Sequence, residues 1–123
     1  MRYYLVSFAV VLAVACGVAT GPIGGNLAVR AAPSVLQPSN ESPATVYTFA
    51  IEGGLAIRAN WAPCSDPGHC GGLKPGETEE LQYAQIAGYA PGATHAIVYW
   101  WHLVPGGSTG FRPDSIRAVP VTL

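Results

Sequence analysis

Residues 95–104 read HAIVYWWHLV, ten positions without a glycine, a proline or an acidic or basic side chain apart from the two histidines. Such β-branched and aromatic density over a strand-length segment predicts a β-strand. Alternation puts Ile97, Tyr99, Trp101 and Leu103 on one face and Ala96, Val98, Trp100, His102 and Val104 on the other. Both faces are apolar, so the strand belongs in the middle of a sheet and is covered on both sides. Trp100 and Trp101 are adjacent and point to opposite faces. One of them therefore leaves the main core, covered by a tether, covered by a loop or available to bind.

Outward from this strand, Thr45–Ile51 alternates so that Tyr47, Phe49 and Ile51 face the core. Glu52-Gly53-Gly54 reads as a hairpin turn, with Leu55–Trp61 as the returning strand and Pro63 as its end. A long connection through Cys64, Cys70 and Leu73-Lys74-Pro75-Gly76 leads to a third strand in Glu77–Gln85, carried by Leu81 and Tyr83. Ala84–Tyr89 reads alternatively as one helical turn. After a loop at residues 105–110, Ile116–Leu123 forms the last strand, with Arg117, Val119, Val121 and Leu123 on one side and Pro120 marking an edge. Short strands with turn signals at this spacing predict an all-β domain, a small antiparallel immunoglobulin-like β-sandwich over residues 44–123.

The N-terminus has a different character. Arg2 and the apolar run that ends at Ala13-Val14-Ala15 form an export signal over residues 1–15. Ala13-Val14-Ala15-Cys16 resembles the bacterial lipobox, with Cys16 as the lipidated residue, although leucine is commonest where Ala13 stands. Ordinary cleavage at the same bond or nearer Ala31 is the alternative. A third is an uncleaved anchor, since Tyr3–Ala19 falls just short of the roughly 20 residues that span a bilayer. Each places the domain outside the cytoplasm, secreted, periplasmic or held at the membrane by a lipid or signal anchor. Residues 16–43, rich in Gly, Pro and Ser, read as a tether in which Leu27–Leu36 offers a possible edge strand. Asn40-Glu41-Ser42 fits the N-glycosylation sequon, a three-residue match of low specificity.

The chain has 123 residues, 50% hydrophobic and 11% charged, enough for one domain. Its net charge of −1, with no basic cluster, excludes a nucleic-acid partner. Of its three cysteines, lipidation of Cys16 leaves Cys64 and Cys70 to form a disulfide, which an oxidising compartment favours. A loop this short gains only about 2–3 kcal/mol from closure.

Three patterns that suggest chemistry are set aside. Gly106-Gly107-Ser108-Thr109-Gly110 matches the nucleophile elbow G-x-S-x-G, but that elbow needs a strand-to-helix turn and a downstream histidine, and none follows. Cys64, Asp66, His69 and Cys70 lack the second ligand pair of a zinc site, so no metal is assigned. Glu77, Glu79 and Glu80 invite comparison with paired glycosidase carboxylates, yet a charge run at a strand entrance is ordinarily solvated surface. No catalytic residue and no cofactor is expected. Trp61, Tyr99 and Trp100, with His102 on the Trp100 face, are the candidate ligand or partner contacts, because aromatics on a sheet stack on sugar rings or on apolar partner surface. Any of these aromatics is otherwise a core residue, and His102 a satisfied structural histidine.

The set Trp61-Ala62-Pro63-Cys64, Asp66-Pro67, Cys70, Pro75-Gly76, Gly88-Tyr89 and Ala96–Trp101 resembles a pattern in small uncharacterised bacterial exported β-domain proteins of lipoprotein type, over roughly residues 45–123. The resemblance implies no activity. The expected function is a non-catalytic, extracytoplasmic binding or interaction module of the cell envelope, whose partner is an envelope protein or a glycan. The alternative is a carbohydrate or small-ligand binding domain that uses exposed aromatics. A hydrolase or a metal-binding protein ranks below both.

Overall fold

The structure is a computed structural model and describes residues 23–24, 26–108 and 110–123. The expected signal segment, the Tyr3–Ala19 anchor and lipidation at Cys16 lie outside the described residues. Within them the protein is mostly β.

The segment read as a tether, with a possible edge strand at Leu27–Leu36, carries more strand than that. A short β1 (Ile23–Gly24) leads into β2 (Leu27–Ala32) and β3 (Val35–Asn40), an antiparallel hairpin in register from Leu27↔Asn40 to Ala32↔Val35. Folded structure therefore reaches back well before Ala44. The physical reason is period-two burial hidden within linker-like composition: Leu27, Val29 and Leu36 are fully buried. Pro38 is tolerated in β3 because its carbonyl accepts from the Glu79 N–H at 2.9 Å. The imide nitrogen thus faces Glu79, and its missing N–H leaves the ladder with β2 intact.

The expected hairpin at Glu52-Gly53-Gly54 does not form. β4 (Tyr47–Glu52) runs instead into a single helical turn, α1 (Gly53–Ala56). The Glu52 carboxylate accepts from the backbone N–H groups of Gly54 (2.8 Å) and Leu55 (2.9 Å), capping that turn. Neither glycine adopts the positive φ a tight hairpin would need. Leu55–Trp61 consequently forms no strand. The third strand is cut to β5 (Leu81–Gln82), followed by a 3-10 turn at Tyr83–Gln85.

The decisive segment is as read, with one trim. β6 (His95–Trp101) lies between β4 and β9 (Arg117–Thr122), paired from Tyr47↔Trp101 to Glu52↔Ala96 and from His95↔Thr122 to Trp100↔Arg117. Leu103–Pro105 leaves that sheet as β7 and pairs with β8 (Phe111–Pro113). Among the described residues the strands form three antiparallel sheets, ordered β1-β2-β3-β5, β4-β6-β9 and β7-β8. Leu27, Val29 and Leu36 of the first share one apolar cluster with Ala96, Val98, Trp100, Val119 and Val121 of the second. One face of β6 thus carries the main core, and the other is left to be covered locally.

A buried polar corner joins these layers. Asn40 is 1% and Ser42 4% exposed. The Asn40 amide donates to the carbonyls of Ala44 and Leu73, each at 2.8 Å, and its oxygen accepts from the Ser42 N–H and hydroxyl. The sequon-like triplet is a structural corner whose amide hydrogens are both engaged.

Candidate functional site

The register of the second sheet builds the outer face. Phe49, Tyr99 and Ala118 form a row across β4, β6 and β9, and Ile51, Ile97 and Pro120 form the next. No charged residue stands in either row. Trp61 lies over the first, its ring 4.8 Å from Phe49 and 4.9 Å from Tyr99, and 5.9 Å from Trp101 (centroid to centroid). Phe49, Trp61 and Tyr99 are half-buried, whereas Trp101 is covered, 2% exposed. The cover is the strap that follows Trp61. The Trp101 indole N–H donates to the Cys64 carbonyl at 3.0 Å. The expected Cys64–Cys70 disulfide is present, with Cα atoms 5.7 Å apart. The strap then returns to the sheet, where Val46 and Leu73 exchange backbone hydrogen bonds of 2.9 and 2.8 Å. Aromatic rings are thereby held at the surface by a loop anchored at both ends.

Trp61 and Tyr99 are brought together; Trp100 and His102 are not part of this face. Trp100, a candidate contact from sequence, is 1% exposed and sits in the main core, so it is not available to a ligand. The Arg117 guanidinium lies 4.5 Å over its ring and His102 meets it edge-on at 5.6 Å. Its indole N–H is buried without a hydrogen-bond partner among the described residues.

His102 holds a polar cluster that sequence reasoning missed. Its Nδ1 lies 3.2 Å from Asp114 Oδ2, its Nε2 3.0 Å from Ser42 Oγ, and its backbone N–H donates to Asp114 Oδ1 at 2.9 Å. Arg117 completes the group, 3.4 Å from the same carboxylate. The contacts are those of a serine–histidine–aspartate triad, but the surroundings are not those of a nucleophile. Ser42 is buried, its Oγ is also 2.6 Å from Asn40 Oδ1, and it lines none of the cavities described. As folded, no substrate carbonyl reaches it, and the cluster ties the Asn40 corner to the β6–β7 junction and the start of β9. Nothing local in the sequence signals this, because the three residues meet only through tertiary packing.

Asp114 yields a prediction. Burial opposes its ionisation, but hydrogen bonds from the Ser115 and His102 backbones and the His102 side chain, with the Arg117 charge, outweigh it and hold the carboxyl at about 2. A folded-state pKa below the unfolded value of 3.8 contributes stability that is present above about pH 4 and lost as pH falls toward 2. Asp114→Asn is expected to lower stability by about 1–2 kcal/mol at pH 6, allowing for the part-exposed site. In urea titrations the gap from wild type should close by pH 2, and a gap independent of pH would contradict the assignment.

The remaining candidates disperse. Ser108 lies in the β7–β8 turn, closed by Gly106 N–H to the Gly110 carbonyl at 3.0 Å, a strand-to-strand connection. Glu77 accepts from the Lys74 N–H and Glu80 from Gln37, while Glu79 lines a cavity of about 180 Å³ between β3 and β4. The sulfurs of Cys64 and Cys70 are bonded to each other, and the Asp66 carboxylate accepts from the Gly68 N–H and pairs with His69. Among the described residues no group of three or more His, Cys, Asp or Glu converges as a metal site, and no helix is long and apolar enough to cross a membrane. No protein-family model, curated protein or solved structure matches the chain.

Proposed function

We propose that the protein is a non-catalytic, extracytoplasmic binding module of the cell envelope, an immunoglobulin-like sandwich carried on an export signal and held at the membrane by Cys16 or by the signal itself. The observation that carries the binding reading is the outer face of the second sheet. There Trp61 packs at a tilt against Phe49 and Tyr99 and is left half in water, among rows that hold no charge. A domain this small has every reason to bury such rings, and the opposite face of the same sheet buries its own. Rings of this kind are the residues that dominate interface energetics. The disulfide in the strap supports an oxidising compartment. An envelope protein with an apolar patch is the partner this face fits best.

The test is binding of detergent-solubilised envelope proteins to the immobilised full-length chain, a readout that membrane anchoring does not supply. Trp61→Ala should weaken it by about 30-fold, the scale of an interface hot spot. The thermal midpoint should move by only a few degrees, because the ring is not core. Unchanged binding by a folded Trp61→Ala protein would rule out this face as the binding surface.

A further inference from the structure

The largest cavity described lies away from the Trp61 face, where the β2–β3 turn meets the 3-10 segment and the end of β9. It is an open cleft of about 630 Å³, and a second open space of about 210 Å³ shares residues with it, Ser34, Tyr83 and Tyr89 lining both. The Tyr83 and Tyr89 rings stand 5.8 Å apart at 55°. Pro33 and Thr122 flank the larger space and Gln82 the smaller. No Asp, Glu, Lys, Arg or His lines either. Among the described residues the hydroxyls of Ser34, Tyr83, Tyr89 and Thr122 have no hydrogen-bond partner within the protein. A cleft with tilted aromatic walls, four free hydroxyls, an amide and no charged side chain matches a particular chemistry. It suits a ligand with apolar C–H faces and a rim of neutral hydroxyls.

A second, independent observation falls at the same place. Ser34 has φ of 75°, the one non-glycine position among the described residues in the left-handed region. It follows Pro33, so the turn has the type II pattern, in which this position ordinarily holds Gly or Asn. A serine there stores backbone strain, and such strain concentrates at functional sites. The Ser34 carbonyl also accepts from the Tyr83 N–H at 2.9 Å, so the strained residue fixes the backbone that carries one wall. Burial, and then the neighbouring Tyr89, push the Tyr83 phenol above its usual range, which keeps it a proton donor.

We infer that the Tyr83–Tyr89 cleft binds a neutral saccharide of one or two rings, with Ser34, at the strained turn, as a hydrogen-bonding residue. The inference is independent of the Trp61 face. Its test is a titration of the full-length chain with cellobiose, maltose and N,N′-diacetylchitobiose, followed by NMR of the tyrosine ring carbons, with glucuronate as the charged comparison. At least one disaccharide should shift the Tyr83 and Tyr89 rings saturably, and glucuronate should bind more weakly. Ser34→Gly relieves the left-handed strain and Tyr89→Phe keeps the ring, so both variants stay folded. Each should weaken binding by about tenfold, the scale of one hydrogen bond. Trp61→Ala should leave binding unchanged. The inference is overturned if no disaccharide moves these rings, if both variants bind as wild type, or if glucuronate binds as tightly.

Discussion

Trp100→Ala is expected to cost about 3–5 kcal/mol, against the 5–15 kcal/mol that holds a small domain together. The indole is 1% exposed on the central strand, between Thr48 of β4 and Arg117 of β9 in register, and it belongs to the apolar cluster that both larger sheets share. Truncation leaves a cavity where the sheets meet, and it removes the ring over which Arg117 lies. Trp100→Phe should be milder than its loss of volume suggests. The wild-type indole N–H is already buried without a partner among the described residues, a desolvation cost that phenylalanine lacks. Trp61→Ala, at a half-buried ring, should cost the least of the three. Urea midpoints in the order Trp61→Ala, Trp100→Phe, Trp100→Ala are the result to look for. An equal loss at positions 61 and 100 would mean that the two tryptophans are not divided between face and core.

The second large effect is at Asn40. Asn40→Asp is nearly isosteric, yet it turns a two-way donor into an acceptor. The Ala44 and Leu73 carbonyls, now each 2.8 Å from the amide nitrogen, would face a carboxylate oxygen in a site 1% exposed. Burial of an uncompensated charge against two acceptors is expected to cost about 3–5 kcal/mol at neutral pH. The penalty should shrink as pH falls. The introduced carboxyl has its folded-state pKa raised above the unfolded value, so the loss is full above the folded pKa and is relieved once the group protonates. Compared with wild type at the same pH, a deficit that grows on acidification would contradict the hydrogen-bond directions assigned to this corner.

What was legible in the sequence, and what was not, follows from how local each signal is. The strand at His95–Trp101 was legible because composition and alternation agree over seven residues, and its central position followed from apolar side chains on both faces. The opposite orientation of Trp100 and Trp101 followed from the pleat alone. The Cys64–Cys70 bond was legible from cysteine arithmetic. The hairpin at Leu27–Asn40 was obscured because its two prolines and two serines, next to a Gly-rich stretch, outweighed only three buried apolar residues: Leu27, Val29 and Leu36. The turn at Gly53-Gly54 was misassigned because Glu52 caps a helical turn there, and either outcome suits two glycines. At the site, the pairing of Trp61 with Tyr99 depends on the path of a strap that no periodicity encodes. Ser42 reaches His102 from 60 positions away, and Ser34 meets Tyr83 and Tyr89 only through the pairing of distant segments, so neither the cluster nor the cleft leaves a local trace.

The binding reading rests on the Trp61 face, and the most direct measurement is site-specific photo-cross-linking in the intact cell. A photoreactive residue replaces Asn60, exposed beside Trp61, in the full-length chain, and Arg30, exposed on β2 of the other sheet, serves as the comparison position. A discrete adduct is expected from position 60, absent from position 30 and lost when Trp61 is also replaced by alanine. Adducts of equal yield from both positions, or an adduct from position 60 that survives Trp61→Ala, would contradict the binding role of this face.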